Sequence, residues 1–189
     1  MLLVSGAKAA PPGSGAPGDD LDRFLADKGL LTHIEQVRQT VSHKASELVV
    51  TALGFLGVPY RMGGNTVETG FDCSGFVRAM YHQTIGLILP RKAEQQAAAT
   101  EKIERGDLQP GDLVFFNTLK RAFSHVGIYV GEGKFIHSPR PGGEVRVESM
   151  GVSYWNHRFD GARRVSAQPQ PMQAIHALPG TPPGDAVQR

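Results

Sequence analysis

Residues 124–138, SHVGIYVGEGKFIHS, decide how this chain folds. Val126, Ile128 and Val130 alternate with His125, Gly127 and Tyr129, the period-two pattern of a half-buried strand. A Gly-Glu-Gly turn follows, and Lys134 to Ser138 reads as the return strand. Register then governs what the hairpin can do. A three-residue loop, 130–132 or 131–133, projects His125 and His137 from one face as opposite or diagonal neighbours, whereas a two-residue loop sends them to opposite faces. Gly133 at the left-handed position of a three-residue loop with a G1 bulge is the better chemical fit, so the expectation is a shared face. One strand histidine is ordinarily a satisfied structural residue; two on one face suggest joint chemistry.

The chain holds a single cysteine, Cys73, within GFDCSGF at residues 70–76. It cannot form an internal disulfide, which leaves a buried inert thiol, a metal ligand or a nucleophile. Phe76, Val77, Met80, Tyr81 and Thr84 recur at helical spacing before Gly86, so a helix is expected from about Cys73. Asp72 is then the N-cap, with Phe71 and Phe76 in the two positions of a hydrophobic staple. Cys73 falls in the first turn, where unsatisfied N–H groups and the dipole favour an anion. Its thiol pKa is therefore expected to fall, against partial opposition from the Asp72 charge. Gly75 is expected to leave a gap for an imidazole or a substrate backbone.

Further out, Ile34, Val37, Val41, Ala45, Leu48, Ala52 and Leu56 draw one apolar helical stripe, with Thr32 and Glu35 matching a capping box and Gly57 and Pro59 ending it. A second helix start at Ser42 is an alternative to one continuous rod. VPYRMGGNTVETG, residues 58–70, reads as loop, and Glu94 to Ala99 as a short helix. Leu113 to Phe116, Val145 to Glu148 and Gly161 to Val165 read as strands, the last closing an edge. Helices followed by antiparallel strands make an α+β domain over residues 32–166. Residues 1–31 read as a disordered tether or signal remnant: Ala7-Lys8-Ala9 is similar to the end of a secretory signal, but there is no basic segment and the apolar core is short. Residues 167–189 read as a Pro-rich disordered tail.

With 189 residues and a formal charge of +2, the chain supports one compact domain with tails, and nothing in it asks for nucleic acid or an anionic membrane. No run approaches the roughly 18–20 apolar residues of a transmembrane segment. Oligomeric state is not written in the sequence.

PYRMGG, FDCSGFV, LPR, LQPGDLVFF, SHVGIYVGEGKFIHSPR and YWNHRFDGARRV, in one colinear series over residues 43 to 165, resemble the NlpC-type family of bacterial cell-wall cysteine peptidases. That resemblance implies a circularly permuted papain-like fold, with N-terminal helices packed on an antiparallel sheet. It implies a catalytic triad of Cys73, His125 and His137, and hydrolysis of peptidoglycan stem peptides, commonly at the γ-D-glutamyl to diamino-acid bond, in the periplasm or outside the cell. Tyr60, Asp72 and Ser74 inherit a role in holding the substrate's peptide end. No cofactor or metal is implied. Met62 stands where relatives usually carry tryptophan, and RKAEQQ lacks the small hydroxyl residue common after LPR; both departures bear on subsite preference.

In chemical detail, His125 is expected to hold Cys73 as a thiolate–imidazolium pair and then protonate the leaving amine, with His137 orienting His125. The Cys73 backbone N–H and the Tyr60 hydroxyl are candidate oxyanion donors. Arg61, Arg91 and Arg140 are candidates to meet acidic groups of a stem peptide. Three rivals stay open at this point: a Cys73/His125/His137 zinc site, a non-catalytic wall-binding module, and a thiol amidase or acyltransferase using the same triad.

Overall fold

The computed structural model describes residues 30–166. The expectations for residues 1–29 and 167–189 lie outside that range. Helix α1 (Leu30–Leu53) is continuous across Ser42 and begins before Thr32, so Thr32 lies within the helix and does not cap it. Leu48 and Ala52 carry the stripe into the core, while Leu56 lies past the helix end and is half exposed. No helix among the described residues is long and apolar enough to cross a membrane.

The segment expected as pure loop contains a small hairpin, β1 (Asn65–Thr66) with β2 (Gly70–Phe71). It leads into α2 (Cys73–Ile85), which ends at Gly86 in the left-handed conformation that glycine adopts without strain. A short helix α3 (Ala93–Ala98) follows. Then come β3 (Glu101–Ile103), β4 (Leu113–Phe116), β5 (His125–Gly131), β6 (Lys134–His137), β7 (Arg146–Ser149), helix α4 (Ser153–Asn156) and β8 (Phe159–Arg164). The last six strands form one antiparallel sheet in the order β3-β8-β4-β5-β6-β7. The C-terminal strand is thus internal, contrary to the edge position expected for it: β3, too short and polar to register as a strand in the sequence, covers its outer side.

Alternation along the strands divides the apolar residues between two faces. Leu113, Phe115, Val126, Ile128 and Ile136 pack with Leu48, Phe71, Phe76, Val77 and Met80 of the helical layer. Val114, Phe116 and Phe135 form a smaller cluster on the other face, closed by Met150 and by Trp155 of α4. His125 and His137 belong to this second face, since Val126 and Ile136 beside them in sequence point into the helical core.

The β5–β6 hairpin departs from both loop geometries in an informative way. Gly131 pairs with Lys134, so the turn is the two-residue Glu132-Gly133, both residues at positive φ as a type I′ turn requires. Taken alone, such a loop would separate the histidines. The register shifts between Tyr129 and Gly131, and Val130 is the extra residue; below it Tyr129 faces Phe135 and Ile128 faces Ile136. One bulge residue reverses the facing of everything beyond it, and His125 and His137 return to a common face as diagonal neighbours. Continuing that register puts Gly127 opposite His137, and glycine there leaves the space the ring needs. A Cβ on Gly127 would lie 2.7 Å from the Phe135 ring, 2.9 Å from the Ile136 carbonyl oxygen and 3.2 Å from the His137 Cβ.

At the start of α2, Asp72 has extended backbone angles and its Oδ1 accepts from the Gly75 N–H at 2.7 Å, as an N-cap should. Phe71 and Phe76 meet edge to face with centroids 5.7 Å apart, which completes the staple. Gly75 corrects the expectation of an open gap. A Cβ there would fall 2.1 Å from the Gly64 carbonyl oxygen, so the space is filled by the preceding loop and admits neither imidazole nor substrate.

These two glycines yield a stability prediction. Gly75→Ala and Gly127→Ala each force backbone or a packed ring to move and should lower unfolding free energy by about 1–3 kcal/mol or more. Gly106→Ala, with nothing within 4 Å of the added carbon, should stay within roughly 0.5 kcal/mol of wild type. Urea unfolding monitored by circular dichroism measures all three, and a Gly127→Ala protein as stable as wild type would contradict the register described above.

Candidate active site

Three elements converge on Cys73. The α2 N-terminus presents the sulfur, β5 arrives alongside it, and the 58–70 loop forms the opposite wall. The backbone N–H groups of Val126, Ser74 and Cys73 itself favour the anionic form of the sulfur. Val126 directly follows His125, so the first residue of β5 is delivered to the mouth of the helix. The thiol is half-buried and opens onto a cleft of about 480 Å³ lined by Tyr60, Met62, Asp72, Ser74, Arg91 and Arg121, among others. A larger cavity of about 750 Å³ lies elsewhere, between the β1–β2 hairpin and the outer side of α2, and does not touch Cys73. Size does not identify the site here; the convergence of polar groups does.

Behind the sulfur the second face of the sheet carries a line of hydrogen bonds. His125 Nε2 is 2.7 Å from His137 Nδ1, and His137 Nε2 is 2.6 Å from Glu148 Oε2. Arg146 Nε lies 3.2 Å from the same carboxylate oxygen. Both imidazoles are buried, and Trp155 covers them: its ring stacks on His125 at 5.5 Å and meets His137 edge-on at 5.0 Å. The two rings thus spend a nitrogen on each other, and among the described residues no group of three or more His, Cys, Asp or Glu is placed to hold a metal ion.

On the other side of the sulfur, Asp72 serves several partners at once. Besides capping the helix it accepts from the Gly63 N–H at 2.9 Å and from Arg91 through both oxygens, at 3.0 and 2.5 Å. Ser74 joins the cluster, its hydroxyl donating to Asp72 at 3.3 Å and accepting from Arg91 at 3.0 Å. Arg91 is therefore committed to Asp72 and Ser74. Arg61 lies in the neighbouring polar groove with Arg146 and Glu144, on the far side of Tyr60, and Arg140 is exposed. The Tyr60 hydroxyl contacts the sulfur of the exposed Met62 at 3.7 Å, and burial with the nearby Cys73 and Asp72 charges raises its pKa.

The electrostatics correct the expectation of a primed thiolate. Burial first, and the Asp72 charge second, push the Cys73 thiol from 9.0 up to about 11, against the three N–H groups that favour the anion. That displacement amounts to roughly 3 kcal/mol against the thiolate. A helix dipole contributes about 0.3–1 kcal/mol, so desolvation prevails. His125 moves the opposite way: burial, then the neighbouring His137, hold its pKa well below 6.5. His137 is also lowered, chiefly by burial, although Glu148 opposes this. The free protein accordingly rests as neutral thiol and neutral imidazole, not as the ion pair expected from the helix position.

Glu148, Arg146 and Trp155 are the members of this neighbourhood that sequence reading did not assign. Glu148 and Arg146 sit in a strand recognised only by its alternation. Trp155, the one tryptophan, lay in the YWNHRFDG block, but the four-residue helix carrying it has no periodic signature.

Comparison with known proteins matches this arrangement to one group. The sequence profile of the NlpC/P60 family matches residues 57–164. Murein DD-endopeptidase MepH of Escherichia coli (strain K12) is 40% identical over 153 residues, which cover 73% of this chain and 56% of that protein. Gamma-DL-glutamyl hydrolase of Bacillus subtilis (strain 168) is 44% identical over 118 residues, 62% of this chain and 28% of that protein. The chain thus spans about half or less of the length of these two relatives. Among solved structures, the NlpC/p60 domain of peptidoglycan hydrolase SagA superposes with a TM-score of 0.57 at 35% identity, covering 64% of this chain and 98% of that domain. The α+β architecture, the colinear motifs and the matched span agree: this chain belongs to the NlpC/P60 family.

Proposed function

We propose that this protein is a peptidoglycan hydrolase, a cysteine endopeptidase that cleaves stem-peptide amide bonds through Cys73, His125 and His137. The observation that carries the reading is the 2.7 Å contact between two buried imidazoles on adjacent strands, the first of them on the residue just before Val126, whose backbone N–H favours the anion of the only thiol. The relatives named for murein and glutamyl hydrolysis supply the substrate class. Of the bonds those names cover, we assign the γ-D-glutamyl to diamino-acid linkage, since the glutamyl hydrolase has the higher identity of the two over its matched segment. Residues 32–166 constitute the catalytic domain, and the substrate places its action in the periplasm or at the outer wall.

The reaction begins from the neutral pair. As Sγ of Cys73 attacks the amide carbonyl carbon, its proton passes to His125, and negative charge moves to the carbonyl oxygen. The Cys73 N–H and the Tyr60 hydroxyl are the donors assigned to that oxyanion. Collapse breaks the C–N bond, and the imidazolium of His125 returns the proton to the departing amine, leaving a thioester. Water then attacks the thioester while His125 accepts its proton; the C–S bond breaks and the thiol is restored. His137 holds the His125 ring in the plane this shuttle needs. Asp72 and Ser74, fixed by Arg91, form the wall that receives the peptide end of the substrate, next to Tyr60.

Purified peptidoglycan incubated with wild type should release soluble muropeptide fragments, identified by mass spectrometry as products of one stem-peptide cleavage. Cys73→Ala should be slower by at least about a thousandfold, and His137→Asn should retain more activity than His137→Ala. Identical products at similar rates from wild type and Cys73→Ala would end the proposal, and binding without release would favour a wall-binding module.

The resting protonation state has its own test. Alkylation of Cys73 by iodoacetamide should be slow at neutral pH and accelerate as pH rises toward about 11, because the folded thiol is held protonated. Asp72→Asn removes the second cause of that elevation, so its alkylation profile should move to lower pH. A wild-type profile with its midpoint below pH 7 would show a primed thiolate instead.

A further inference from the structure

The outermost members of the hydrogen-bonded line, Glu148 and Arg146, have no part in the reaction as written above, yet their geometry fixes where protons sit within it. Glu148 Oε2 accepts from His137 Nε2 at 2.6 Å and is gripped by Arg146 at 3.2 and 3.3 Å. An ionised carboxylate has no proton to donate, so His137 Nε2 must carry its N–H toward Glu148. A neutral imidazole has one N–H, which leaves His137 Nδ1 bare. That bare nitrogen faces His125 Nε2 at 2.7 Å and can only accept, so His125 Nε2 carries the proton. The remaining nitrogen of His125, Nδ1, is then a lone pair with no partner in this line.

We propose that Glu148, braced by Arg146, is a positioning residue that sets the tautomers of His137 and His125 in series, so that His125 Nδ1 is the base offered to the Cys73 thiol. The same carboxylate offsets the positive charge that develops on His125 during attack. This inference rests on the assignment of Cys73 and His125 as nucleophile and base. No step is added to the reaction; the device determines which nitrogen performs it.

The charges around the line are few. Glu148 faces His137 from β6 and Arg146 from its own strand, and the two together hold its carboxyl down to about 2, with the His137 hydrogen bond the largest cause. Glu148 thus stays ionised wherever the protein is folded near neutrality. His125 faces His137 and Glu148 along the line, Val126 beside it in β5 presents its backbone N–H toward the Cys73 sulfur, and Trp155 and Phe116 against the ring are uncharged. Removing the carboxylate removes the one influence that raises the His125 pKa, so imidazole protonation should occur at lower pH.

Long-range 1H–15N NMR of the wild-type imidazoles, with kinetics on peptidoglycan, tests this directly. In wild type both rings should be protonated at Nε2 and bare at Nδ1. Glu148→Ala should show a population of His137 protonated at Nδ1, a kcat lowered about 10–100-fold with little change in KM, and an acidic limb of the pH–rate profile displaced to lower pH. Glu148→Gln keeps an acceptor oxygen and loses the charge; it should restore the tautomers and most of kcat while its acidic limb remains displaced. A wild-type spectrum with His137 protonated at Nδ1 would overturn the proposal whether or not Glu148→Ala folds. So would a folded Glu148→Ala protein with wild-type kcat and acidic limb. The NMR and the alkylation profile of Cys73 need no substrate. Failure on peptidoglycan with the expected tautomers would therefore count against the proposed substrate and leave the Glu148 assignment standing.

Discussion

One inserted residue governs the site. The turn at Glu132-Gly133 would by itself separate His125 and His137 by the thickness of a sheet, and the unpaired Val130 reverses that outcome. Everything chemical on the second face depends on this reversal: the contact between the imidazoles, the approach of Glu148 from β7, and the cover of Trp155 over both rings. Gly127 completes the arrangement by leaving opposite His137 the space that a side chain would occupy. β-Bulges commonly mark the places where a strand re-aims a functional group, and here the re-aimed group is the candidate base.

Burial shapes the chemistry as strongly as register. A helix N-terminus favours a thiolate, but its influence is smaller than the cost of desolvating an anion, so the sulfur and the buried His125 imidazole both rest uncharged. The ionised groups lie one step further out on either side. Asp72 is matched by Arg91 at the cleft wall, and Glu148 by Arg146 behind the histidines. The candidate nucleophile and base of the proposed reaction therefore sit in a neutral, partly dehydrated space between two paired charges. In the proposed reaction charge would appear there only in passing, as the thiol proton moves, with fixed N–H groups and the Glu148 carboxylate in place to offset it.

Much of this was legible because local rules and tertiary demands coincide. The Asp72 cap, the Phe71–Phe76 staple, the helix end before Gly86 and the LVFF strand at 113–116 follow from spacing alone, and the structure has each of them. The shared face of the histidines was anticipated through the wrong loop, because an internal bulge has the same effect on facing as a longer turn and leaves no distinct mark in GIYVGEG. Gly75 was misread because its neighbour, the Gly64 carbonyl, comes from a loop remote in pairing though near in sequence. Glu148 and Trp155 were invisible for a related reason: each acts through a contact across strands or between layers, which no periodicity encodes. The direction of the Cys73 shift failed for want of a burial value, the one quantity that decides between dipole and desolvation.

The most direct measurement is a crystal structure of the protein with a stem-peptide aldehyde bonded covalently to the Cys73 sulfur. The account requires a ring nitrogen of His125 within hydrogen-bond reach of the tetrahedral centre's sulfur or oxygen, while the other nitrogen still contacts His137. A His125 ring turned away from that centre, or the two imidazoles on opposite sides of the β5–β6 hairpin, would contradict it.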